Sequence, residues 1–254
     1  MEKKYFRSLM TLSFLVIFWW FVAFIDVLPD FLLPGPIGTF IQFVSLLKSG
    51  AIFRSSLLSL IRVFSGFAIA SLAGVGLGLL IGWFDAFKHY SNVIVELIRP
   101  IPPIAWIPLA LAWFGVGIVY NSFVIFLGAF FPILLNTISG VRGIEGTRIN
   151  AAKTLGADNR DILRDIVIPG AMPSIFTGLR TGWGIGWMTV VAAEMIGANS
   201  GLGFLIFQAY KVAFDLKTVL VGMAVIGGIG LVTNQIFRLI EDRALNWRPS
   251  NGKR

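Results

Sequence analysis

The chain is 254 residues long, 56% apolar and only 13% charged, with 23 Phe, 8 Trp and a mean hydropathy of +0.83. Those values exclude an ordinary soluble domain and mark an integral membrane protein with no room for a large soluble domain as well. The formal charge of +8 is the surplus that basic residues at membrane borders produce, so nucleic acid is not the expected partner; with no Cys and the single His89 there is no thiol nucleophile, disulfide framework or His/Cys metal cluster.

Six apolar stretches follow along the chain, near residues 9 to 28, 57 to 83, 92 to 114, 118 to 139, 174 to 197 and 217 to 240. A helix needs about 20 apolar residues to cross a hydrocarbon core of about 30 Å, and the bilayer requires each segment to satisfy its own backbone, so these predict an all-α fold of about six transmembrane helices. The first run, Leu9 to Val27, is longer than the apolar part of a signal peptide and no small-residue cleavage site follows it, so it is read as a retained first span. Between the first two spans, Leu33-Pro34-Gly35-Pro36 predicts a turn, with a short surface helix from Ile37 after it.

Basic flanks orient the spans. An N-terminus in the cytoplasm places Lys3, Lys4, Arg7, Lys88, Arg142, Arg148, Lys153, Arg160, Arg164, Arg238, Arg243, Arg248, Lys253 and Arg254 on the cytoplasmic side. Only Lys48, Arg54, Lys211 and Lys217 are then outside. Both termini are expected in the cytoplasm, with Arg62, Arg99 and Arg180 near or within spans.

In the second span, Gly74 and Gly78 have the small-xxx-small spacing that lets helices approach closely, within one subunit or across a dimer seam. The third opens with Arg99-Pro100-Ile101-Pro102-Pro103-Ile104-Ala105-Trp106-Ile107-Pro108, which cannot be a straight helix because each proline removes a donor and crowds the preceding turn. Broken helices at membrane depth are tolerated in protein or beside a water-filled cavity. Pro102, Pro103, Trp106 and Pro108 are therefore candidates for a translocation path, with a structural kink as the alternative.

Residues 140 to 173 form a polar island between greasy runs. Gly146-Thr147 offers a helix start, Leu155-Gly156 a stop, and Asp158 a second N-cap with Asp161 three residues on. Two short helices around a tight glycine turn are predicted, the second with an apolar stripe of Ile162, Leu163 and Ile166, ended by Pro169 and Pro173.

Here the residues resemble a family. The cytoplasmic motif of ABC importer permeases runs Glu-Ala-Ala, three residues, Gly, nine residues, Ile-x-Leu-Pro, and Ala151, Ala152, Gly156, Ile166 and Pro169 stand at that spacing. Asn150 replaces the Glu and Ile168 the Leu, so a salt bridge from that Glu has no counterpart here. Arg99-Pro100-Ile101-Pro102-Pro103, Ala105-Trp106-Ile107-Pro108-Leu109, Trp113-Phe114-Gly115, Gly178-Leu179-Arg180 and Ala192-Ala193-Glu194-Met195-Ile196 look like the taurine, aliphatic sulfonate, nitrate and bicarbonate branch.

That resemblance implies a type I ABC importer permease in the cell membrane of a prokaryote. It would work as a homodimer with two cytoplasmic ATPase subunits and an external solute-binding protein, moving a small solute of the anion class inward. Its parts would be an N-terminal helix and external segment through residue 54, a permease core over 55 to 245 and a basic tail over 246 to 254. Asn150, Ala151, Ala152, Thr154, Leu155, Gly156, Ala157, Ile166 and Pro169 would couple to the ATPase. No Gly-x-x-x-x-Gly-Lys-Ser/Thr loop occurs, so this chain is not expected to be an enzyme or to hold a cofactor; ATP and Mg would be bound by the partner ATPase.

Arg180 and Glu194 are about 21 Å apart along a helix and cannot pair. A carboxylate as deep as Glu194 is costly to bury alone, so it is expected to face another helix, a dimer axis or water, as a gate or packing group. Arg180 and Arg99 near the cytoplasmic border can snorkel or ease an anion's exit. Arg180, Trp187 and Glu194 complete the candidate path, Trp being equally at home in interfacial belts. Asn199-Ser200-Gly201-Leu202-Gly203 is expected to form an outer turn. A secondary carrier is the alternative, but no inverted repeat is visible and the isolated helix pair has no use in one.

Overall fold

A computed structural model describes residues 2–25, 29–84 and 95–245 of the chain. Residues 26–28 and 92–94 of the first and third apolar runs, Lys88, His89, and the tail 246–254 with Arg248, Lys253 and Arg254 lie outside the described residues, as do the side chains of Lys3, Lys4 and Arg7.

Every regular element among the described residues is helical: α1 (Glu2–Phe24), α2 (Pro36–Lys48), α3 (Ala51–Trp83), a 3₁₀ turn (Pro103–Trp106) leading into α4 (Ile107–Phe114), α5 (Ile118–Arg142), α6 (Gly146–Thr154), the single turn α7 (Asn159–Ile162), α8 (Ile168–Gly197), α9 (Leu202–Gln208) and α10 (Leu216–Ala244). Among the described residues four helices are long and apolar enough to cross a membrane: α3, α5, the run Asn159–Gly197 through α7 and α8, and α10. Ser13–Phe24, Pro103–Phe114 and Leu202–Ala213 are shorter apolar helices.

The third apolar run is broken where its prolines predict: from residue 95 it is a helical turn at 95–98, the 3₁₀ turn and α4, because the prolines between them withhold the donors a continuous ladder requires. Two other sequence expectations need correction. Pro169 and Pro173 do not end the helix after Asp158. A π-turn, Leu163–Val167, carries the chain straight into α8, with Pro169 in its first turn and Pro173 inside it. The Ile168 N–H reaches back five residues to the Leu163 carbonyl, and Pro169 follows with no N–H at all, so the ladder changes register where a donor is missing anyway. The segment after Gly197 is more than a turn, for α9 and a second π-turn, Ala209–Ala213, follow Gly201, with Leu202, Gly203 and Ile206 buried.

The chain divides into two compact units, residues 1–58 with 199–228 and residues 59–198 with 229–254. In the first, Pro36 stands in the opening turn of α2, as the prolines predict, and the Trp19 indole donates to the Pro34 carbonyl at 3.2 Å. Asp215 Oδ1 accepts from the N–H groups of Lys217 and Thr218, and Gln42 donates to Thr218 Oγ1 at 2.8 Å. Lys217 Nζ lies 3.0 Å from Asp30, and that bond, with a weaker one from the Gly35 N–H, holds the Asp30 carboxyl below its ordinary 3.8. Because the folded value is the lower one, the contribution is present above pH 3.8 and fades as the pH falls through the lowered value; full exposure keeps it small.

The second unit is built on a row of small residues. Gly66, Ala70, Gly74, Gly78 and Gly82 recur every fourth residue on α3 and face Ile125, Ala129, Ile133, Thr137 and Val141, spaced likewise on α5. A Cβ on Gly78 would stand 2.5 Å from Thr137 Cβ, and one on Gly74 2.9 Å from Ile133 Cγ2, so only glycine permits this approach. The Gly74 and Gly78 spacing therefore packs two helices of one subunit. Against α8, a Cβ on Gly178 would stand 3.2 Å from the Pro132 carbonyl oxygen and one on Gly182 2.9 Å from that of Ala129, so glycine lets this helix also approach α5 closely.

Candidate functional site

The segment from α6 to the π-turn has two faces. Ile149 and Ala152, with Ala157, Leu163 and Ile166, pack against a core of Val141, Ile162, Val167, Ala171 and Ile175. Asn150, Ala151, Lys153, Thr154, Leu155 and Gly156 are exposed, Leu155 at 88%. A nearly bare leucine on a short polar helix, whose rear is anchored in a core, is a presented group rather than a packed one.

Local chemistry sets this shape. The Ala157 N–H donates to the Ala152 carbonyl and the Gly156 N–H to the Lys153 carbonyl, both at 3.0 Å, the paired bonds of a Schellman stop. Gly156 occupies φ +87°, where side chains are strained, although a Cβ there would meet nothing within 4 Å. Asp158 then caps α7, accepting from the Arg160 and Asp161 N–H groups at 2.8 Å, and Asp161 completes the capping box. Asp158→Ala should cost about 1 kcal/mol of local stability, read as roughly fivefold faster amide exchange at Arg160 and Asp161; unchanged exchange would refute the cap.

The seven path candidates do not converge on one place. Pro103 lines an open pocket of about 410 Å³ with Arg99 and Ile101, against Gly128, Pro132 and Asn136 of α5 and Thr181 and Ile185 of α8. Gly128 permits α8 to lie close against α5 beside this pocket, since a Cβ there would be 2.9 Å from Thr189 Oγ1, whereas its 3.5 Å to Pro103 Cγ would be ordinary contact. Pro102 and Pro108 are exposed and Trp106 half-buried. Arg180 forms an ion pair with Glu241 of α10 rather than reaching toward a border alone. Trp187 is buried, and so is its neighbour Trp183, ringed by Phe64, Phe67 and Phe237 at centroid distances of 4.8, 5.2 and 5.4 Å.

Glu194 is fully enclosed and paired. Arg62 Nη1 of α3 lies 2.6 Å from Glu194 Oε1, and Ser59 Oγ lies 2.8 Å from both carboxylate oxygens. One residue earlier, the Ala193 carbonyl accepts from the hydroxyl of Tyr120, itself fully buried at the start of α5. Sequence reasoning weighed Arg180 as the partner and excluded it, but did not identify Arg62, Ser59 or Tyr120. The available signal was charge balance: a carboxylate at that depth demands a cation, and Arg62 is the basic residue of the second apolar run.

A family profile described as the binding-protein-dependent transport system inner membrane component matches residues 74–246. A chain of Methanocaldococcus jannaschii, provisionally named an ABC transporter permease protein, is 50% identical over 207 residues, 81% of this chain and 77% of that one. The taurine transport system permease protein of Escherichia coli is 34% identical over 246 residues, 94% of this chain and 89% of its own. Other relatives are named for aliphatic sulfonates in Bacillus subtilis, nitrate in Leptolyngbya laminosa and bicarbonate in Synechococcus elongatus. A crystal structure of an amino acid ABC transporter with histidines aligns over 81% of this chain and 98% of its own, with a TM-score of 0.64 at 17% identity, a likeness of fold.

Proposed function

We propose a function from one premise: this chain belongs to the family of binding-protein-dependent transport-system inner-membrane components, in the ABC importer permease branch that holds the taurine, sulfonate, nitrate and bicarbonate relatives. It is a membrane-embedded transport component. It works as a homodimer with two cytoplasmic ABC ATPase subunits, which bind ATP and Mg, and takes a small anion of the sulfonate, nitrate or bicarbonate class from an external solute-binding protein into the cell. Both termini and the α6–α7 segment face the cytoplasm.

The observation that supports this reading best is the two-faced α6–α7 segment. Its inner face is rooted in the core that α5 and α8 share, while Leu155 and the glycine turn stand free for a groove on another protein. Movement of that partner would pass through the anchored side as a rigid-body shift of α5 and α8. Asn150, Ala151, Thr154, Leu155 and Gly156 supply the docking surface. Ala152, Ala157, Ile166 and Pro169 hold it in place. With Asn150 where the motif has Glu, shape and apolar contact carry the coupling more than charge does.

The test is uptake into proteoliposomes containing this chain, its ATPase and its binding protein. Accumulation should require all three and fall to background when ATP is withheld. Uptake by this chain alone, driven by an ion gradient, would overturn the proposal in favour of a secondary carrier.

A further inference from the structure

We propose that the permease itself carries a binding subsite for a small organic oxyanion, in the pocket between the proline-broken segment and the α5 and α8 helices, with Arg99 as the group that holds the anionic head. The inference rests on the importer reading but concerns a step after the binding protein has released its cargo.

Among the described residues, Arg99 is the basic residue of the pocket and no acidic residue lines it. Among the described residues Arg99 forms no ion pair and its side chain no hydrogen bond, in contrast to Arg62 and Arg180, which are each taken by a carboxylate. Glu96 lies one turn away, in an adjoining pocket of about 390 Å³ that shares Arg99, yet the two do not pair. A guanidinium with its fork uncommitted, set against an otherwise largely apolar wall, favours an anion with a flat or tetrahedral oxygen face. The volume of about 410 Å³ is that of a site for a small molecule.

The rest of the polar lining selects what else the ligand carries. Thr181 donates its hydroxyl proton to the Thr177 carbonyl and so turns lone pairs outward; Asn136 donates one N–H to the Pro132 carbonyl, leaving its carbonyl oxygen and second N–H. Pro132 has no N–H for the Gly128 carbonyl one turn back, which leaves a further acceptor beside the pocket. Donors therefore come mainly from Arg99 and acceptors from α5 and α8. A short chain with an anionic head and a donating tail satisfies both sides.

The experiment uses the permease with its ATPase, without the binding protein, in phosphatidylcholine nanodiscs, and measures equilibrium binding of labelled 2-aminoethanesulfonate and ethanesulfonate. Saturable binding is expected, stronger for the amino compound. Arg99→Gln should weaken both probes by about tenfold or more, Arg99→Lys by less, and Thr181→Val should erase the advantage of the amino compound. Thermal midpoint and ATPase co-purification confirm that each variant is folded and assembled. Absence of saturable binding, or binding untouched by Arg99→Gln, overturns the subsite. Displacement of the probes by phosphatidylglycerol, with an anionic lipid held by the parent and lost from Arg99→Gln, overturns it in favour of a lipid headgroup at Arg99. Should the ATPase fail to co-purify with the parent chain, the importer reading falls, while binding by the permease alone still decides the pocket.

Discussion

Gly156→Trp is expected to leave the chain in the membrane at normal abundance and to abolish ATP-dependent uptake. The two halves of that outcome have separate causes. Within the chain, the new side chain enters open space, so nothing in the core is displaced. The internal cost is the αL strain of a non-glycine residue at φ +87°, about 1 to 2 kcal/mol and confined to a surface turn. Outside the chain, an indole would stand beside the exposed Leu155, on the surface assigned to the ATPase groove, and hold the two proteins apart. Gly156→Asn, which tolerates αL and is small, should retain most uptake. Normal uptake by the Trp variant at normal expression would remove the docking assignment. Loss of membrane-inserted protein would instead make Gly156 a folding residue.

Breaking the buried pair is the second large effect. Glu194→Ala should destabilise the second unit by about 3 to 5 kcal/mol, because the Arg62 guanidinium would be left in a low-dielectric interior without its carboxylate. The pair is well enclosed, with 12% and 0% of the Arg62 and Glu194 side chains exposed, so solvent screening does little to soften this. Arg62→Met alone should be comparably severe, leaving a buried carboxylate held only by groups such as Ser59. The double variant Arg62→Met, Glu194→Met should recover most of the loss, since apolar residues of similar volume can replace an ion pair with no charge left to solvate. Thermal denaturation in nanodiscs reads all three. Single variants as stable as the parent, or a double variant worse than both, would show that the pair is not held as a unit.

What was legible in the sequence was local or compositional. The helix stop at Leu155-Gly156 and the cap at Asp158 are met within five residues of chain, so residue types there report the geometry directly. The fates of Pro169 and Pro173 were not legible. A proline ends an ideal α-helix, but the π-turn widens the ladder just before it, and that widening is held by packing of Ile162 and Val167 in a core assembled from distant segments. The small residues of α3 were visible at their spacing, while their partner helix was not, because a glycine row fits any neighbour with a matching ridge.

The sequence by itself determined that the chain is a helical membrane protein, where its polar island lies, and which family's motif that island carries. Hydropathy, caps and turn residues act over a few positions and need no distant partner. Only the tertiary structure decided that Glu194 is joined to Arg62 across 132 positions, that Arg180 is taken by Glu241 while Arg99 forms no ion pair among the described residues, and that Leu155 is bare while Ala152 is anchored. Those are pairings and exposures set by which helix faces meet. In a chain this apolar, close packing and the need to neutralise buried charge choose the faces, and neither is written in any one segment.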